Sequence, residues 1–263
     1  PVAEEYVEYQ CWDSAQGLCS YLRGMLGTKA LLTAAGVGEG EASAAAAAVA
    51  WAMRDGFALV ASLVFSYAVG TDMDARPKLW RLVADASNDV GLSLEMAAPF
   101  FCRRAGSTFV VITGLAAACK TVCGVAAAAS KAVVSAHLAR AGNFGDVAAK
   151  ESAQENAVTL AGLVLGVLLS RCAWELPLFA VLTVAHLWFN VKAMRCLRLR
   201  TLTPARLAML LQRYFDGGDL SRRAIARDEP LLADCFTWRQ KRSVLGCRLG
   251  ARLTNHRAAV AAT

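Results

Sequence analysis

The chain has 263 residues, of which 56% are hydrophobic and only 19% charged, where soluble domains average about 25% charged. A disordered chain is excluded and a membrane enters the reckoning. The net charge of +7 is confined to one end: residues 195–263 hold 14 Lys and Arg against 5 Asp and Glu, while the rest holds 14 against 16, so no nucleic-acid partner is expected. The first segment, 1–13, is acidic. Glu4, Glu5, Glu8 and Asp13 precede any Lys or Arg, so no signal or transit pattern is expected there, and this end does not reveal a compartment.

Strand alternation is absent and Ala, Leu and Gly dominate, which predicts an all-α chain. Six apolar helical segments follow at about 14–35, 42–70, 80–101, 107–139, 148–171 and 176–197. Turn signals separate them: Gly36-Val-Gly38-Glu-Gly40, Asp72 to Pro77, Cys102 to Gly106, Ala141 to Asp146, and Glu175-Leu-Pro177. Pro177 suits a first helical turn, where its missing N–H costs nothing. After residue 200, Thr203-Pro204 reads as the cap and first residue of a short amphipathic helix ending before Asp216-Gly217-Gly218. The organisation expected is a segment over 1–13, a six-helix bundle over 14–200, and a basic, partly helical region over 201–263. That last region reads as soluble or as lying on anionic headgroups.

The longest uncharged runs are 16 residues, Gly56 to Thr71 and Leu176 to Val191, short of the roughly 18–20 of a lone span. Helices of this kind still cross a bilayer if their charges face a bundle interior. If all six cross, Arg76, Lys78, Arg81, Arg140, Lys150, Lys192, Arg195, Arg198 and Arg200 share one side, against Arg103, Arg104 and Arg171 on the other. That bias follows the positive-inside pattern. The competing reading is a soluble helical bundle with a Leu/Ala core.

Charge inside the apolar helices is the candidate for function. Asp85, Asn88 and Glu95 fall on one stripe of the third helix, with Asp89 at its edge, at about 100° per residue. Lys120 and Lys131, eleven residues apart, project from one face of the fourth, with Gly124 allowing close approach between them. Arg54 and Asp55 interrupt the second. The expectation is an interior polar network of Arg54, Asp55, Asp85, Asn88, Asp89, Glu95, Lys120 and Lys131. It serves either to assemble the bundle or to receive an ionic solute. A second polar motif, Asp146, Lys150, Glu151, Gln154 and Glu155, reads as a helix start, with Asp146 as N-cap and acids complementing the dipole.

Other chemistry is not indicated. The glycine run at 36–40 lacks the preceding strand and spacing of a nucleotide loop. His137, His186 and His256 are isolated, and the nine cysteines form no C-x-x-C pair, so neither a metal site nor a Cys/His nucleophile is expected. The cysteines read as buried free thiols and His186 as a core residue. No catalytic residues, metal or cofactor are called for.

Several blocks together resemble the root UV-B sensitive (RUS) family over residues 6–232. They are Tyr9-Gln-Cys-Trp-Asp-Ser14, Cys19-Ser-Tyr-Leu-Arg-Gly-Met-Leu-Gly-Thr28, Gly36-Val-Gly38, Trp51-Ala-Met-Arg-Asp-Gly56, Lys78-Leu-Trp-Arg-Leu-Val-Ala-Asp85, Asn88-Asp-Val-Gly91, His137-Leu-Ala-Arg140, Asp146-Val-Ala-Ala-Lys-Glu-Ser-Ala-Gln-Glu155 and Glu229-Pro-Leu231. Lys120 stands where an arginine is expected in relatives, and the longer C-terminal region of members is expected to be short or missing. The resemblance implies a plastid-associated protein linked to UV-B response, early development and vitamin B6 homeostasis, and it supplies no catalytic residue. Lys120-x-x-x-Gly124, the charged loop after Gly70 and the Gly-Asp-Val turn also resemble one six-helix half of a major-facilitator transporter. The fold expected is therefore an all-α six-helix membrane bundle of that kind with a basic C-terminal extension.

The function expected is a half-transporter-like or membrane adaptor subunit, in contact with membrane lipid and with a paralogous RUS protein, a second copy or a larger membrane complex. Its membrane is expected to be plastid, with mitochondrial and endomembrane locations as alternatives. A non-catalytic assembly protein docked on a membrane complex is the second reading. A pyridoxal-phosphate binder using Lys120 or Lys150 as Schiff-base lysine is the third.

Overall fold

The computed structural model describes residues 1–36, 44–69, 73–74, 76–102, 105–169, 173–229 and 231. The expectations placed on the glycine run beyond Gly36 and on Asp72, Arg103, Arg104, Arg171, His256 and residues 233–263 lie outside them. So do those on Cys172, Cys235 and Cys247. Eight helices are described: α1 (Tyr6–Ala34), α2 (Ala44–Val69), α3 (Pro77–Phe101), α4 (Ser107–Leu138), α5 (Phe144–Leu169), α6 (Glu175–Cys196), α7 (Pro204–Phe215) and α8 (Arg222–Asp228). They divide into two compact units, Pro1–Leu199 and Arg200–Thr263.

In the first unit α3 is the core helix. It packs against α4, α1 and α6, while α2 lies on α4 and α5 lies mainly on α1. Apolar side chains fill the helix junctions in three clusters. Leu26, Ala30, Leu92, Met96 and Phe179 join α1, α3 and α6. Trp80, Ala84 and Ala126 meet Phe65 toward one end of α3, and Leu31, Ala34, Ala98 and Phe109 close the other. Trp51 stacks on Phe109 there, with ring centroids 5.6 Å apart.

Glycines set the closest approaches. A Cβ on Gly91 would lie 2.8 Å from the Ala116 carbonyl oxygen and 2.8 Å from Lys120 Cγ, so α3 meets α4 only because residue 91 has no side chain. On α5, Gly162 and Gly166 form a G-x-x-x-G face that receives Tyr21 and Met25 of α1.

Four helices are long and apolar enough to cross a membrane: Ala48–Val69, Ser107–Leu138, Phe144–Leu169 and Glu175–Cys196. Their outer faces carry Leu59, Leu63, Val64 and Tyr67 on α2, Leu160, Val164 and Leu168 on α5, and Val181 and Val184 on α6, all exposed. That much contiguous apolar surface suits lipid and not water.

The expected six crossings and half-transporter bundle are thereby corrected. The segments over 14–35 and 80–101 are apolar because they pack against protein. Arg23, Asp85, Asp89 and Glu95 are buried among other helices, and neither α1 nor α3 is apolar enough to count as a span. The charge bias falls with the six crossings on which it was counted. Lys78 and Arg81, counted among the charges on one side of the membrane, lie inside α3 and are buried, because the helix starts at Pro77, where proline suits the first turn.

In the second unit, Thr203 caps α7 by accepting a hydrogen bond from the Arg206 N–H at 3.3 Å. The helix stops where Gly217 adopts φ +67°, which lets Gly218 N–H reach the Arg213 carbonyl at 2.8 Å. This left-handed closure is the usual work of glycine.

Candidate functional site

The polar stripe of α3 is answered by side chains from four other helices. Asp85 accepts from Asn190 Nδ2 of α6 at 2.6 Å and from Arg81 Nε one turn back at 3.3 Å. Arg81 also reaches Asp13 of α1 at 2.9 Å. Asn88 donates to Ser20 Oγ of α1 at 3.0 Å. Asp89 meets Arg23 Nη2 of α1 at 2.5 Å and His186 Nδ1 of α6 at 3.1 Å. Glu95 accepts from Lys120 Nζ of α4 with both oxygens, at 2.9 and 3.2 Å, and Arg54 of α2 stands 3.8 Å from it.

Within this belt Arg23 and His186 are fully buried. Arg23 also lies over the Phe179 ring, 5.4 Å from its centroid. Nε and Nη1 of Arg23 and Nε2 of His186 meet no hydrogen-bond partner among the described residues. Buried polar atoms are seldom left so, because each forfeits its hydration without replacement. The centre at Asp89 is thus paired in charge but not saturated in hydrogen bonds.

The members expected from sequence separate into three groups. Asp85, Asn88, Asp89, Glu95, Lys120 and Arg54 lie along the belt. Lys131 does not; it pairs with Glu155 of α5 at 2.5 Å, since eleven residues carry it about 16 Å along the helix axis from Lys120. Asp55 is exposed and turns away from the belt.

The second motif docks α5. Glu151 accepts from Gln10 of α1 at 2.9 Å and from Ser135 of α4 at 2.5 Å. Gln154 donates to the Gln10 carbonyl and to Ser14. Asp146 is not the N-cap. The helix begins at Phe144, Asn143 precedes it and accepts from the Arg140 and Ala141 N–H groups, and Asp146 sits in the first turn, 3.0 Å from Lys150 on the exposed face.

Sequence reading missed Asp13, Ser20, Arg23, Arg81, His186 and Asn190. A signal was present: polar positions 13, 16, 20 and 23 recur at heptad spacing on α1, and His186 and Asn190 are one turn apart on α6.

Near the N-terminus, Glu5 accepts from His137 at 2.9 Å and from the Arg198 N–H at 3.1 Å. Burial pushes its carboxyl up, but these hydrogen bonds outweigh that and hold it below the usual range. Among the described residues no three His, Cys, Asp or Glu side chains are grouped to hold a metal ion.

Known proteins resemble this chain in sequence. A family model described as "Vitamin B6 photo-protection and homoeostasis domain" matches residues 1–218. The chain is 37% identical over 224 residues to "Protein root UVB sensitive 3" of Arabidopsis thaliana, covering 83% of this chain and 50% of that protein. It is 36% identical to "RUS family member 1" of Dictyostelium discoideum, covering 81% and 41%. Against "Protein root UVB sensitive 2, chloroplastic" of Arabidopsis thaliana it is 31% identical, covering 82% and 50%. The chain spans about half or less of these relatives' length, and no solved structure matches it. Neither the family description nor these names carry an enzymatic activity.

Proposed function

Because the chain belongs to the root UVB sensitive family, a membrane-associated family linked to vitamin B6 and UV-B biology, we propose that it is a non-catalytic membrane adaptor subunit in vitamin B6 homeostasis. The carrying observation is that the acids of the α3 stripe reach side chains of other helices, Arg23, Lys120, His186 and Asn190. Charges used in this way fix the arrangement of helices and leave the apolar faces of α2 and α5 for lipid and for a partner's helices. The partner we propose is a paralogous RUS protein or a second copy of this chain. The membrane we propose is that of the plastid, on the printed name of one relative.

The test is complementation of a null line with a charge-neutralised pair, Glu95→Gln with Lys120→Gln. An adaptor retains rescue, partner capture and folding. Loss of rescue with folding and partner capture intact would overturn the reading.

One observation favours a second reading, a polar-solute site. Arg23 and His186 keep unpartnered nitrogens at the centre of the bundle, and buried ionisable groups with unmet hydrogen bonds mark candidate sites for a polar solute. Saturable binding of pyridoxine or pyridoxal phosphate, abolished by Arg23→Met at a temperature where that variant is still folded, would favour it. The pyridoxal-phosphate reading through Lys120 has less support, since both oxygens of Glu95 hold that ammonium group. Lys150 is exposed beside Asp146, and borohydride trapping tests it.

A further inference from the structure

Helix α7 turns its arginines inward and two large apolar side chains outward. Its polar face carries Arg206 and Arg213, and both are spent within their own unit. Arg206 donates to Glu229 at 2.8 Å and to the Thr201 carbonyl at 2.9 Å, and Arg213 pairs with Asp228 and donates to the Asp219 carbonyl at 2.9 Å. Part of its apolar surface is left outward: Leu207 and Tyr214, two turns apart on one side, are 42% and 60% exposed, with Leu210 and Leu211 between them half-buried, and Leu202 and Leu220 beside the helix ends are exposed too. A helix in water shows the opposite arrangement.

Charge identifies what covers this face. Residues 200–263 contain 12 Lys and Arg against 5 Asp and Glu, while residues 1–199 contain 16 of each, so the whole +7 belongs to the second unit. Arg222 and Arg223 lie exposed on α8. Only residues 197–203 separate the last apolar helix from α7, a reach of at most about 25 Å. An apolar helix face followed by the exposed Arg222 and Arg223, in a unit of net charge +7 that follows a helix apolar enough to cross a membrane, matches the boundary layer of an anionic bilayer, apolar below and negative above.

We propose that α7 and α8 form an interfacial lipid-binding module, with Leu207 and Tyr214 entering the acyl boundary and Arg222 and Arg223 meeting anionic headgroups. The experiment is hydrogen exchange on the full chain in nanodiscs of phosphatidylcholine, alone or mixed with phosphatidylglycerol. Exchange over 204–215 is expected to slow about tenfold or more in the mixed discs. Salt should reverse the slowing, and Leu207→Asp with Tyr214→Asp should remove it. Both side chains are exposed, so the variant keeps its fold, checked by unchanged exchange in α3. Equal slowing in both lipids overturns the anionic preference. Slow exchange in both discs that Leu207→Asp with Tyr214→Asp leaves unchanged overturns the module, because lipid contact through this face is then not what protects the helix, and dependence on protein concentration would identify the cover as a second copy. A salt-sensitive slowing produced by added oligonucleotide and not by lipid would also overturn it.

Discussion

Removing one charge from the Arg23–Asp89 pair tests whether the belt holds the helices together. The Arg23 side chain is 0% exposed and that of Asp89 11%, with nitrogen and oxygen 2.5 Å apart. Asp89→Asn keeps shape and volume but leaves a guanidinium inside the bundle with no carboxylate. An uncompensated buried charge of this kind costs about 3–5 kcal/mol, which for a body of about 200 residues lowers Tm by roughly 6–20 °C. Arg23→Met strands the carboxylate with only His186 and should cost a similar amount. The double variant should recover most of the loss, since a buried pair is often replaceable by neutral groups of like size, giving a coupling of at least about 2 kcal/mol. Thermal unfolding of the four proteins in one detergent closes the cycle. Single variants that each cost under about 1 kcal/mol and simply add would refute the pairing argument.

Two further predictions follow from packing and pH. Gly91→Ala drives a Cβ against the Ala116 carbonyl, which moves only with α4, and should cost about 1–3 kcal/mol, whereas Gly124→Ala meets nothing within 4 Å and should leave Tm unchanged or raised; equal losses would show that the close approach is not real. Glu5, held below the usual carboxylate range, stabilises the fold fully above the unfolded carboxylate range and ceases to do so as pH falls through its lowered folded value. The acid limb of Tm against pH should therefore be shallower in Glu5→Gln than in the parent, and parallel curves would refute it.

Six long helices and the capped α7 were legible because punctuation is local, as at Pro177, Pro204 and Gly217, but α1 begins at Tyr6 and not at 14, and α3 at Pro77 and not at 80. The acid stripe of α3 was legible for the same reason, as a periodicity within one helix. Its partners were not, because Arg23 is 66 residues from Asp89 and Asn190 is 105 from Asp85, and only packing chooses among distant cations. Lys131 shows the failure directly, for a shared face does not mean a shared depth. Crossing number failed on a different ambiguity: burial in protein and burial in lipid select the same apolar side chains. Only the fully buried charges of α1 and α3 tell them apart.

The pairing of α3 with α6 also bears on how the chain is made. Asp85 and Asp89 precede Asn190 and His186 by about 100 residues, so during synthesis these acids exist well before the side chains of α6 that meet them. Until α6 arrives, Asp85 and Asp89 have only Arg81 and Arg23, while α4 already holds α3 at Gly91 and through the Lys120–Glu95 pair. A nascent chain stopped after α5 should therefore hold the Asp85–Asp89 stretch of α3 less firmly than the part against α4, and secure it only when the sixth helix is released.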